Sequence, residues 1–84
     1  MDPDATLKEL LTAVENGDSA TVNELADALT YWLDHAGFPP QTVGSQQLGR
    51  NWHVALTLSI CQLARIRVET EPTNLANSGE DSAG

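Results

Sequence analysis

The stretch "LGRNWHVALTLSICQLARIRV", residues 48–68, decides how the rest of the chain is read. It is the most apolar run in a chain of 84 residues. Val54, Leu56, Leu58 and Ile60 alternate with Ala55, Thr57 and Ser59, as in a strand. A hairpin would need a turn near "SICQLA", and no Gly, Pro, Asn or Asp stands there. A run of this length without a breaker favours a helix, over about 50–68. Its start is open between two N-caps, Ser45 and Asn51.

As a helix the run is apolar on two opposite sides. Leu48, Trp52, Ala55, Leu56, Ser59, Leu63 and Ile66 share one stripe at 100° per residue. Val54, Leu58, Cys61 and Val68 lie opposite, with Arg50 and Arg65 among them. The first stripe matches the apolar faces of the two helices before it, so it is expected to close a three-helix core. The second is then left open, and burying it would contribute about 5 kcal/mol. That is comparable with the whole stability of a domain this small. The expected cover is a second copy of the chain, through Val54, Leu58, Cys61 and Arg65. The alternatives are a different protein, or enclosure by the chain's own helices.

Two further helices precede this run. Asp2 as N-cap and Pro3 in the first helical position open one at 3–16. Leu7, Leu10, Leu11 and Val14 form its stripe, and Gly17 ends it. Asp18 or Ser19 caps the next, at 19–36, with Val22, Leu25, Ala26, Leu29, Trp32, Leu33 and Ala36 on one side. Gly37 fits the left-handed position at its end, Phe38 is expected to fold back on Leu33, and Pro39 and Pro40 forbid continuation. The short link at Gly17 and Asp18 makes these two an antiparallel hairpin. The turn "LLTAVENGDSATVNELADAL", residues 10–29, resembles the helical cadence of ankyrin-type repeats without their Thr-Pro-Leu-His opening. One such unit does not fold alone, so the likeness identifies no family.

These readings give an all-α three-helix bundle at 1–70 and an acidic tail at 71–84, which is polar enough to be expected disordered. A core this small has few other means of reinforcement. Cys61 is the one cysteine, so no internal disulfide forms, and its place in an apolar run reads as a small buried hydrophobe in a reducing compartment. The acidic start carries no secretion signal, and charges interrupt the best candidate for a membrane span. A cytoplasmic protein with no membrane contact is expected.

The net charge of −8 argues against nucleic acid as a partner. The charge is unevenly spread. Residues 1–40 hold eight acids and one lysine, 41–68 hold Arg50, Arg65 and Arg67 with no acid, and 69–84 hold four acids. Attraction between the first and second segments within the fold follows from that layout.

Sites of chemistry are sparse. Asp34 and His35 are neighbours and point about 100° apart on a helix, so they form no dyad. His35, His53 and Cys61 lack zinc-ligand spacing. "VGSQQLGR" has no lysine after its second glycine and is no phosphate loop. No enzyme activity, cofactor or metal is expected. The expected role is a non-catalytic protein-interaction module, homodimeric through the third helix. The alternatives are a small metal- or ligand-binding protein using His35 or His53, and an acidic decoy or inhibitor of a basic partner.

Overall fold

A computed structural model describes residues 1–70; the acidic tail expected at 71–84 lies outside the described residues. The chain folds as a three-helix bundle: α1 at Pro3–Glu15, α2 at Ser19–Asp34 and α3 at Arg50–Thr70. A short 3₁₀ turn at Gln46–Leu48 precedes α3. The apolar run is therefore helix throughout, and no strand occurs among the described residues.

Local chemistry sets the ends of each helix. The Asp2 carboxylate accepts from the Ala5 N–H at 3.2 Å, and Pro3 follows at the first helical position. At the far end Gly17 adopts φ 67°, a conformation that suits glycine. The Gly17 N–H then reaches the Val14 carbonyl and the Asp18 N–H reaches that of Ala13, a Schellman ending. Asp18 also caps α2. Its carboxylate accepts from the Thr21 N–H at 3.2 Å and from the Thr21 hydroxyl at 2.6 Å. These two bonds, the hydroxyl first, hold the Asp18 pKa below its usual value of 3.8. One residue thus closes one helix and opens the next.

The end of α2 departs from expectation by one position. Ala36, rather than Gly37, is the left-handed residue, with φ 65°. The Ala36 N–H bonds to Leu33 O and the Gly37 N–H to Trp32 O, again the Schellman pattern. Gly37 serves a different need: a Cβ there would overlap the Trp32 indole. Phe38 meets that ring edge-on at 5.6 Å instead of folding onto Leu33. Of the two proposed starts of the third helix only Ser45 caps anything, and Asn51 lies inside the helix. Ser45 caps the 3₁₀ turn through its hydroxyl, and α3 proper begins at Arg50.

The core joins Leu7, Leu10 and Ala13 of α1 to Val22, Ala26 and Leu29 of α2. Alpha-3 adds Cys61, Ala64 and Val68. Leu11, expected in the α1 stripe, is exposed, and Ala13 takes the inward place.

The third helix is turned the opposite way from the sequence expectation. Trp52, Leu63 and Ile66, assigned to the core, are 45%, 64% and 47% exposed. The buried line is His53, Thr57, Cys61, Ala64 and Val68. Size explains the reversal. Cys61 and Ala64 are small and join Ala13 and Ala26 in one cluster, with Thr57 beside them on the buried line, a composition that suits close approach of helix axes. Leu and Trp in the same line would hold α3 away. The polar members of the inner line are satisfied: the Thr57 hydroxyl donates to the His53 carbonyl at 2.8 Å, so burying it leaves no unmade bond.

Candidate functional site

The four residues expected at an interface are not a common exposed patch. Cys61 is only 4% exposed and belongs to the core, and Val54 is half-buried. Leu58 stands at the margin, 37% exposed. The Arg65 guanidinium turns to its own chain and pairs with Asp27 on α2. Leu58, Cys61 and Arg65 do meet, with Asp27, Thr30 and Gln62, around an open groove between α2 and α3. Arg65 Nε is enclosed there without a hydrogen-bond partner. Burial pushes the Cys61 thiol pKa up, while Arg65 and Thr30 pull more weakly the other way. The thiol is therefore held protonated and poorly reactive. The groove is a helix–helix contact bridged at the surface by the Arg65–Asp27 ion pair, in line with the attraction read from the charge layout.

The histidines resolve into structural roles. His53 is 4% exposed and uses both ring nitrogens. Nε2 lies 2.9 Å from the Ser45 carbonyl oxygen, so the proton sits on Nε2 and is donated there. Nδ1 then accepts from the Thr42 hydroxyl at 2.6 Å, with the Thr42 N–H at 3.4 Å. Neither nitrogen is left to bind a metal ion without breaking these bonds. His35 stacks on Tyr31 at 3.9 Å and its Nδ1 lies 2.8 Å from the Tyr31 carbonyl oxygen. The two histidines do not share a site. No group of three potential metal-ligating side chains converges among the described residues.

The 36–49 connection is held by side chains from all three helices. The Trp32 and Trp52 indoles donate to the carbonyls of Phe38 and Val43, each at 2.8 Å. Arg50 donates to the carbonyls of Gly37 and Leu33, the second of which also accepts from the Ala36 N–H at the end of α2. The Asp4 carboxylate of α1 accepts from the Gln41 N–H at 2.7 Å. Trp32 to Phe38 is local, across the end of α2, whereas the other pairings join residues between 9 and 37 positions apart, which spacing along one helix does not reveal.

Apart from separate exposed side chains such as Leu11, Tyr31 and Phe38, the exposed apolar surface runs along the outer side of α3. Trp52, Leu56, Ser59, Leu63, Ile66 and Thr70 follow one another at steps of four and three, the spacing of a coiled-coil seam. All but the half-buried Leu56 are exposed. Val43 and Leu48, 71% and 50% exposed, extend the patch beyond the start of the helix. This is the stripe that the sequence pattern matches to the faces of α1 and α2, and the structure places it outside. No helix among the described residues is long and apolar enough to cross a membrane. Comparison with known proteins finds no matching family model, no matching curated protein and no matching solved structure.

Proposed function

We propose that the protein is a non-catalytic helical interaction module that self-associates through the outer face of α3. The supporting observation is the exposed seam of Trp52, Leu63 and Ile66 on a helix whose other side already closes the core. Large side chains in a line at coiled-coil spacing are stabilised by burial against a matching helix, about 1.5–3 kcal/mol for each fully covered side chain. A dimer needs only that this patch fit itself.

Sedimentation equilibrium tests the reading. The wild type is expected to be dimeric at micromolar concentration. Leu63→Glu is expected to be monomeric with unchanged far-ultraviolet circular dichroism, because Leu63 contributes little to the subunit's own core. A wild type that stays monomeric at high micromolar concentration overturns self-association.

A second reading has its own support. All eight acids of residues 1–40 are exposed, on α1, on α2 or at their N-caps, a surface suited to a basic partner. Strongly salt-dependent binding of a basic protein, unaffected by Leu63→Glu, would favour it.

A further inference from the structure

We infer that His53 is an acid-sensitive latch: a second proton on its ring frees residues 42–45 from α3 and remodels the surface beside Trp52. The latch is independent of self-association and stands on the bonding of an enclosed imidazole. His53 is 4% exposed, and its Nε2–H donates to the Ser45 carbonyl. Nδ1 accepts twice from Thr42, from the hydroxyl at 2.6 Å and from the backbone N–H at 3.4 Å. The hydroxyl can turn and accept instead, but a backbone N–H only donates. A proton on Nδ1 therefore points at another N–H, and the ring and the Thr42 backbone must part.

The surroundings do not favour a charged ring left in place. Residues 36–49 contain no ionisable side chain. From α1 comes Asp4, whose carboxylate is taken by the Gln41 N–H. On α3, Arg50 stands one turn before His53, carries like charge, and binds the carbonyls of Gly37 and Leu33. Cys61, about two turns on along the same buried line, is held protonated. The end of α2 carries Asp34, which is exposed, and His35, whose Nδ1 is bonded to the Tyr31 carbonyl. No carboxylate among the described residues bonds to the His53 ring. An enclosed cation without such a partner is costly, and opening the connection to water removes that cost. The closed latch holds the neutral ring, so it is favoured at neutral pH and lost on the acid side.

The segment released is short. Gln41 stays tied to α1 through Asp4, and Pro40 before it is buried. With both His53 bonds gone, the Trp52 indole bond to the Val43 carbonyl is left to hold residues 42–45 on α3. Val43, Leu48 and Trp52 form one end of the exposed apolar surface, so acid changes the shape of that end.

Tryptophan emission of the full chain tests the latch. Trp32→Phe leaves Trp52 as the one emitter. From about pH 7.5 to about pH 5, above the range in which ordinary carboxylates titrate, its emission is expected to shift reversibly to longer wavelength with a one-proton profile. His53→Gln is expected to abolish the shift, and His35→Gln to leave it intact. Ring nitrogen-15 spectra of the wild type need no variant to fold. They are expected to show the Nε2–H form at neutral pH and the imidazolium in acid, with the Trp52 indole proton signal moving over the same range. A shift that survives His53→Gln overturns the latch. So does a ring that stays neutral to about pH 5, or an imidazolium that leaves the Trp52 indole signal unmoved. Helix content followed by circular dichroism is expected to stay constant over this range; its loss would mean global unfolding and overturn a local release.

Discussion

The two sides of α3 differ more in bulk than in polarity. The inner side is built from His53, Thr57, Cys61, Ala64 and Val68, and the outer from Trp52, Leu56, Ser59, Leu63 and Ile66. By transfer energy alone the outer side belongs in the core. It is outside because helix packing is limited by how closely two backbones approach, and the hairpin already fills the core with Leu7, Leu10 and Leu29 beside Ala13, Val22 and Ala26, leaving room for small side chains from α3. A helix lined by small side chains gains contacts along its whole length there. The lesson is that the more apolar stripe of a doubly apolar helix is not necessarily the buried one. The fit of volumes to the facing helices decides, provided each buried polar group has a partner.

The comparison breaks most readily by filling the inner side. Ala64→Leu forces a larger side chain into a contact that is 4% exposed, and is expected to lower stability by about 1–3 kcal/mol. Thermal unfolding would fall by roughly 4–8 °C per kcal/mol in a domain this size. The adjacent outer change, Leu63→Ala, is expected to alter the isolated subunit by no more than about 0.5 kcal/mol. Equal losses in dilute protein would mean the two sides are not distinct. His53→Ala sharpens the account of the polar inner position. It removes the bonds to Thr42 and Ser45 and is expected to cost about 1 kcal/mol, read by denaturant titration. The smallest effect lies away from both sides, at Asp18. Its lowered pKa means the folded state prefers the carboxylate, so its contribution is present above about pH 4 and is lost as pH falls through the lower folded value. Asp18→Asn keeps a capping side chain and is expected to flatten that acid-side loss in melts recorded from pH 7 to pH 2.

The hairpin was legible in the sequence because its signals are local. Asp2, Pro3, Gly17 and Asp18 act on neighbours within a turn, and each does what its chemistry requires. The core positions of α1 and α2 followed from spacing, apart from the exchange of Leu11 for Ala13 and from Ala36, which lies exposed beyond the end of α2. The rotation of α3 was not legible. It depends on the widths of two other helices, which no window along one segment contains. The same holds for His53, whose partners at Thr42 and Ser45 lie in a connection with no regular period. The displacement of the left-handed residue from Gly37 to Ala36 was hidden for a related reason: the glycine is required by an indole, and the turn tolerates an alanine.

Both tryptophans tie their indole N–H groups to one connection, at Phe38 and at Val43. Intrinsic fluorescence in this protein is therefore a gauge of one pole only. Fraying where α1 turns into α2 would leave the emission unchanged, while release of residues 38–43 would alter both emitters together. Exchange or scattering methods are needed to watch the opposite pole, and any agreement between those and fluorescence becomes a direct measure of how cooperatively the two poles open.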